Sequence, residues 1–348
     1  MRGMMTVLGA IVLMAGLAIA QAQDLPKLQF KVLGSFANLS NWQKIEKPFW
    51  DALSKESGGA FTATAQSTTE LGLKGTEVMG LLKQDKYDFV HAVANYVAND
   101  PWLEAVDIAG VARDLDMARK ITTVWAPRLD ALMDKNYNAK ILNWYAFPMQ
   151  MIYCKVPVRS LADLKGKKVR VQGISQGDLV EGFGATAVTL PFDDVVPALK
   201  SNAVDCAITG TMPAYKAGWH EVATHVIEMP VGFTIIYTAV SMTTWRSLDG
   251  RSREFLSAQM KAFDDKAWQT ASDEVAMGLT CTTGLGGTCS EGKPGKLVKV
   301  QPPSGDFKQR ELVMIDTVLK RWAKRCGADC VRTWNDTVGK ISGMTAIP

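Results

Sequence analysis

The sequence predicts an α/β protein of two lobes tied together by extended strands and one long helix. Three observations carry this expectation. Strand-like and helix-like segments alternate in two separate runs, a proline-bearing stretch divides the runs, and a late proline-free segment holds helical periodicity for about 30 residues. Composition agrees: 47% hydrophobic and 21% charged residues describe an ordinary globular protein, and 348 residues exceed what one core usually supports.

Taken in order, residues 1–22 read as a cleavable secretory leader. Arg2 precedes an apolar run over 7–18, and small residues follow at Ala18-Ile19-Ala20 and Ala20-Gln21-Ala22. A membrane anchor is the alternative, but the run falls short of the ~20 residues that span a bilayer. Residues 28–33 alternate as a strand does, 42–57 carry Ile45, Phe49, Trp50 and Leu53 at helical spacing, and 61–65 are strand-like. A helix over 76–83 and a buried strand over 88–92 follow. The rhythm returns as strand 168–172, helix 177–183, strand 188–190, helix 193–201 and strand 204–209. Such alternation argues for parallel sheets. Between the runs, 144–160 contain Pro148 and Pro157, and a second crossing is expected near 235–242. From Asp249 onward, Phe255, Leu256, Met260, Phe263, Trp268, Ala271 and Val275 mark a helix of about 30 residues. At 1.5 Å per residue it is ~45 Å long, enough to brace both lobes. The expected division is 23–150 plus about 236–275 for lobe I, and 151–235 plus about 276–348 for lobe II.

The formal net charge of +4 is too mild, and too evenly spread, to argue for nucleic acid. Six cysteines suit an oxidising compartment. Cys281 with Cys289 and Cys326 with Cys330 are expected to close short loops. Cys154 and Cys206 either pair, if their strands lie side by side, or stay buried and reduced. No C-x-x-C pair occurs and three histidines are scattered, so neither a metal site nor a cofactor is expected. Asp193-Asp194 more simply favour a helix start than a metal. The Gly284-Leu-Gly-Gly run is too short for a dinucleotide loop.

The segment Ser160-Leu-Ala-Asp-Leu-Lys-Gly-Lys-Lys-Val-Arg-Val-Gln resembles the "DLKGxKxRV" signature of the extracytoplasmic receptors of TRAP transporters, the DctP type. Glu70-Leu71-Gly72 with Glu77, the strand entry at Asp88, and Leu190-Pro191-Phe192 followed by Val195 to Cys206 agree in order and spacing. The resemblance covers nearly the whole mature chain. It implies a periplasmic-binding-protein-like fold with a ligand cleft between lobes and a hinge-spanning helix. The implied function is capture of a small organic carboxylate for the membrane subunits of a TRAP transporter, by a periplasmic protein that is neither an enzyme nor membrane-embedded.

In such receptors the arginine of "KxRV" holds the ligand carboxylate, which points to Arg170; a guanidinium meets a carboxylate with two parallel hydrogen bonds. Many relatives carry a second arginine where this chain has Gln150. A family asparagine is matched by Thr209, with Cys206 in place of a glycine. One cation fewer suggests a ligand with a single carboxylate, because an unpaired buried charge costs several kcal/mol. Phe36, Trp144, Tyr145 and Phe192 are expected in loops facing the cleft, where they would suit an aromatic or branched apolar group. Gln172, Ile174 and Asn95 complete the expected ligand-binding set.

A catalytic alternative rests on Gly173-Ile174-Ser175-Gln176-Gly177, a G-x-S-x-G match between strand and helix. Asp205 and His220 or His225 follow Ser175 in the order of a hydrolase triad. Against it, no oxyanion segment precedes the serine, the preceding strand carries three cations, and the two histidines fall in a polar stretch read as helical. A receptor for an ABC transporter or a sensor would share the fold and site.

Overall fold

The computed structural model describes residues 25–96 and 100–348; the leader expected at 1–22 lies outside the described residues. Two mixed sheets form two lobes. In lobe I, β1 (Leu28–Gly34) leads through a π-helical turn into α1 (Lys47–Glu56), which starts on Pro48 and buries Trp50 and Leu53. Then come β2 (Phe61–Ser67), α2 (Val78–Lys83), β3 (Phe89–Val93) and α3 (Pro101–Glu104), whose first N–H groups are capped by Asp100. The capping logic repeats at α4 (Leu115–Trp125), where Asp114 accepts from Met117 N–H. After α5 (Asp130–Tyr137), β4 (Ala139–Ala146) ends the first pass. β1 pairs in parallel with β2 and β3, and both faces of the sheet are covered, which is why every residue of β3 is buried.

Lobe II is built from β5 (Gln150–Cys154), β6 (Lys168–Val171), α6 (Ile174–Gly182), β7 (Thr186–Thr189), α7 (Val195–Lys200), β8 (Cys206–Gly210), α8 (Thr211–Lys216) and β9 (His225–Gly232). The chain then returns as β10 (Ile235–Ser241), followed by α9 (Met242–Ser247) and α10 (Gly250–Thr283). The first sheet runs β2-β1-β3-β10-β4. The second runs β11-β9-β5-β8-β6-β7, where β11 is Val298–Val300.

The sheets are mixed, not purely parallel. β10 lies antiparallel to β3 and β4, and β5 antiparallel to β8 and β9. These are the strands that carry the chain between lobes, so the crossings themselves impose the reversal. The two crossings occupy only residues 147–149 and 233–234, and Phe147 N–H donates to Thr234 O at 2.9 Å, binding one to the other. The linker is therefore much shorter than the 144–160 stretch expected. His225 opens a strand, not a helical stretch, because 225–232 pair with β5 on one side and β11 on the other. The helix expected at 177–183 begins earlier, at Ile174.

α10 has 34 residues, about 51 Å at 1.5 Å per residue. Asp249 caps it by accepting from Ser252 N–H. Its first half packs Leu256 and Met260 into lobe I, and Trp268 Nε1–H donates to Trp144 O at 2.8 Å. Its second half lies on α8 so closely that a Cβ at Gly278 would come 2.2 Å from Met212 N. Lys44 of lobe I reaches Glu274 on α10 (3.2 Å) and Glu291 of lobe II (2.7 Å), and Glu291 also takes Lys216 (2.5 Å).

The C-terminal helices α11 (Ser304–Val313), α12 (Lys320–Cys326) and α13 (Ala328–Trp334) touch both lobes rather than lobe II alone. Trp322 Nε1–H donates to Pro101 O, while Arg325 pairs with Glu104 of lobe I and Asp178 of lobe II, each at 2.8 Å. Among the described residues, no helix is long and apolar enough to cross a membrane.

Disulfides join Cys281 to Cys289 and Cys326 to Cys330, as expected. Cys154 and Cys206 also bond, because they sit opposite each other on antiparallel β5 and β8 with Cα atoms 4.0 Å apart. This bond closes the longest loop, a separation of 52 residues, and long loops lose the most entropy on cross-linking. Replacing both Cys154 and Cys206 by serine is expected to lower unfolding stability by about 2–4 kcal/mol. Urea unfolding measures this, and an unchanged midpoint and slope would contradict it.

Candidate ligand-binding site

The centre of the cleft is Arg170. On β6 it points away from the face that α6 covers through Val171, and the strand alternation buries it completely. Nε–H donates to Leu190 O at 3.0 Å, Nη1–H to Ile208 O at 2.9 Å, and Nη2–H to the Tyr96 hydroxyl at 3.4 Å. Among the described residues none of these bonds goes to a carboxylate. Three of the five N–H groups are thus engaged, leaving one on each terminal nitrogen. Burial pulls the guanidinium pKa down, opposed by Tyr96. The arrangement is a desolvated cation held by neutral oxygens, as Arg310 is by Pro230 O and Gly110 O.

Aromatic rings wall the cation. Arg170 Cζ lies 6.0 Å from the Trp219 ring centroid, within cation–π range. Phe192 stacks on Trp219 at 5.7 Å, and Phe36 of lobe I meets Phe192 at 5.1 Å. Tyr96, also of lobe I, passes so close to Gly75 that a Cβ there would come 2.7 Å from its ring. Only glycine fits at 75. At the rim, Lys74 of lobe I pairs with Asp194 of lobe II at 2.7 Å.

Beside the arginine lies an amide lattice. Gln150 Nε2–H donates to Thr234 Oγ1 (2.6 Å), Gln176 Nε2–H to Gln150 Oε1 (2.8 Å), and Gln172 Nε2–H to Thr234 Oγ1 (3.2 Å). Gln150 therefore sits within this neutral lattice at a hinge crossing. Thr209 is buried on β8 opposite Met151. Tyr96, Asn95, Gln172 and Ile174 line a cavity of about 220 Å³, joined there by Asp100 and Glu104. Asn95 Nδ2–H donates to Asp107 at 2.8 Å, while its Oδ1 is buried without a partner.

Two expected residues are placed elsewhere. Trp144 and Tyr145 lie in strand β4, not in cleft loops. Trp144 packs on Tyr237. The Tyr145 hydroxyl donates to Glu46 (2.9 Å) and lies 2.8 Å from His91 Nδ1, inside the lobe I core.

The triad is not assembled either. Ser175 is fully buried, accepting from Ala109 N–H and donating to Asp107 O. His91 is bonded to Trp50, His220 stacks on Tyr215, and His225 contacts Thr224. Asp205 accepts from Lys168 N–H. The G-x-S-x-G pattern instead brings Gly173 against Asn95, where a Cβ would be 3.0 Å from Asn95 Cβ. No group of three or more His, Cys, Asp or Glu among the described residues could hold a metal ion.

Sequence reasoning missed Tyr96, Trp219 and Thr234. The one signal was for Tyr96, an aromatic side chain directly after the C-terminal end of a buried strand, where open α/β sheets bind ligands.

Two α/β lobes thus enclose a cleft in which the buried Arg170 is held by neutral oxygens. The family profile of the bacterial extracellular solute-binding proteins, family 7 (DctP), matches residues 34–279, more than half of the chain, and the chain belongs to that family. A solute-binding protein of Sulfitobacter sp. (strain NAS-14.1) is 23% identical over 209 residues, 59% of this chain and 63% of that relative's length. The match thus spans less than two thirds of that relative. Solved structures share the fold, among them the following three. DctP7, a Bordetella pertussis extracytoplasmic solute receptor binding pyroglutamic acid, is 19% identical, with 89% of this chain and 99% of that one covered, at a TM-score of 0.80. DctPAm of Advenella mimigardefordensis, a sugar acid binding protein in complex with galactonate, is 14% identical, with 91% and 100% covered, at 0.80. A TRAP periplasmic solute binding protein of Shewanella oneidensis with bound succinate is 17% identical, with 91% and 97% covered, at 0.75.

Asp107 lies fully buried at the hinge, accepting from Asn95 and from Ile235 N–H. Burial pushes its carboxyl well above the ordinary range, partly offset by backbone N–H donors, with Glu104 adding to the rise. The folded state holds this proton more tightly than the unfolded chain. Its contribution to stability is therefore full below pH ~4 and is lost as pH rises through the folded pKa. Asp264, pushed up to about 7 by burial, acts in the same sense. Relative to the native protein, Asp107→Asn is expected to gain melting temperature as pH is raised from 4 to 8. Parallel melting curves across that range would count against it.

Proposed function

We propose that this chain is the ligand-capturing receptor of a TRAP-type secondary transporter, exported by the leader at 1–22, and that it takes a small organic carboxylate onto Arg170 by lobe closure. The carrying observation is the fully buried Arg170 guanidinium, whose protein partners are all neutral oxygens. A cation so placed costs several kcal/mol unless an anion joins it. The free N–H on each terminal nitrogen suits the two oxygens of one carboxylate.

Closure is supported by contacts that join the lobes at the cleft: Tyr96 to Arg170, Phe36 to Phe192, and Lys74 to Asp194. Opening about the crossings at 147–149 and 233–234 would part them, so a ligand that binds both walls favours the closed state. A single carboxylate is favoured because Gln150, in the neutral lattice, supplies no second cation. Phe36 and Phe192 offer the ligand an apolar face. The pyroglutamic acid, galactonate and succinate held by proteins of this fold are all carboxylates, which agrees with the class. The closed form would then dock on the transporter's membrane subunits. We read the chain as a binding protein without enzymatic activity, a reading supported by the backbone engagement of Ser175.

A thermal-shift screen of mono- and dicarboxylates tests this reading. The native protein is expected to be stabilised by its carboxylate. Arg170→Ala, folded by circular dichroism, should bind that compound at least about thirtyfold more weakly, from the ~2–5 kcal/mol lost when a buried charge pair is truncated. Undiminished stabilisation of Arg170→Ala would refute the assignment.

A further inference from the structure

Residues 36–44 lay one segment of lobe I along lobe II. Phe36 meets Phe192, Asn38 Nδ2–H donates to Lys216 O at 3.5 Å, and Lys44 reaches two acids, Glu274 at 3.2 Å and Glu291 at 2.7 Å. The segment is fixed where it leaves lobe I. Trp42 covers Gly34 of β1 so closely that a Cβ there would come 2.0 Å from its ring, and Ile45 is buried.

Lobe II holds the receiving acids by its own contacts. Glu291 follows the Cys281–Cys289 disulfide, the Tyr215 hydroxyl fastens its loop by donating to Lys293 O at 3.0 Å, and its carboxylate takes Lys216 at 2.5 Å. Glu274 is fixed through its carbonyl, which accepts from the Thr211 hydroxyl at 3.1 Å. Thr211, Tyr215 and Lys216 all belong to α8. Lys44 thus brings a lobe I cation to an acid pair that lobe II already holds.

Burial separates this contact from the ion pair at the rim. Lys74 and Asp194 leave 41% and 46% of their side chains exposed, where a pair contributes little. Lys44 is as exposed as Lys74, but the groups it joins are not: Glu274, Glu291 and Lys216 retain 6%, 17% and 17%. Their charges are less screened, and Lys44 completes a network of two cations and two anions. Without Lys44, one lysine remains for two largely buried acids, and the ion pair to Glu274 is lost.

We infer that Lys44 and Glu291 form an ionic clasp, away from Arg170, that holds the two lobes together and sets how much of the ligand-free protein is closed. The inference rests on the lobe closure proposed above and adds to it an element outside the ligand's own contacts. It makes the closed state salt-dependent, so that affinity for a captured ligand falls with ionic strength even where the ligand is wholly buried.

The test needs no ligand. All six cysteines are disulfide-bonded, so nitroxides can be placed at Lys83→Cys and Lys200→Cys, exposed positions in lobe I and lobe II. α2 and α7, which end at these residues, both start near the Lys74–Asp194 rim, so opening lengthens the distance between the labels. Double electron–electron resonance on the disulfide-bonded protein at low salt is expected to show mainly the short, closed distance. Lys44→Met or Glu291→Gln should each lower the closed-to-open ratio at least about threefold, and the double variant should match Lys44→Met alone. At about 1 M salt, where charges are screened beyond ~3 Å, the native protein should open in the same way. Native distances in both single variants, strictly additive effects in the double variant, or a native protein already open at low salt would each overturn the clasp. If salt opens the lobes while neither substitution does, the clasp alone fails. If one distance persists in every variant and at every salt concentration, lobe closure fails with it. Carboxylate capture on Arg170 is judged separately, by the thermal-shift comparison.

Discussion

The buried Arg170 guanidinium, held by neutral oxygens alone, is the constraint around which the cleft of this protein is built. Arg170 is wholly buried, and its bonds to Leu190 O and Ile208 O hold it without satisfying its charge. Such a group is tolerated only where the rest of the fold is over-determined. Parallel neighbours β7 and β8 fix β6, α6 fills the opposite face, and the Cys154–Cys206 bond ties β8 to β5. The stability held in those elements is what allows a cation without an acidic partner to persist there.

The site is assembled from both lobes, and that division governs what the sequence could reveal. The place of Arg170 on a strand was legible because its environment is local, a strand with a recognisable motif. α10 was legible for the same reason, since Asp249 and the apolar spacing that follows are short-range signals. Tyr96 was not, because its meaning lies in a contact 74 residues away across the cleft. Thr234 likewise gains its role only when two crossings lie side by side. Trp144 and Tyr145 were misplaced by reading the linker as long; β4 continues to Ala146, so their alternation sends one ring toward Tyr237 and the other into the core. β9 was overlooked because His225, Glu228 and Pro230 interrupt its apolar residues and its partners come from β5 and β11, distant in sequence.

The C-terminal helices alter the two-lobe picture in a specific way. Arg325 joins Glu104 of lobe I to Asp178 of lobe II, and Trp322 reaches the carbonyl of Pro101. Glu104 also lines the cavity, so the cleft wall is coupled to a helix far along the chain. Burial pushes the Glu104 carboxyl upward against the pull of Arg325, so its ionisation depends on that guanidinium staying in place. The rear of the molecule and the ligand wall share one charged network.

α10 is unbroken for 34 residues and fastened at one end to lobe I and at the other to lobe II through the Gly278 contact. On the proposed closure, a rod clamped to both lobes would behave as a leaf spring. Any swing of the lobes must bend it or slide one of its clamps, and the work stored there is subtracted from whatever the ligand contributes on closing. Affinity in such a molecule is a mechanical quantity as much as a chemical one. A substitution that stiffens or softens the helix, far from any ligand atom, would retune the dissociation constant without changing which compound is recognised.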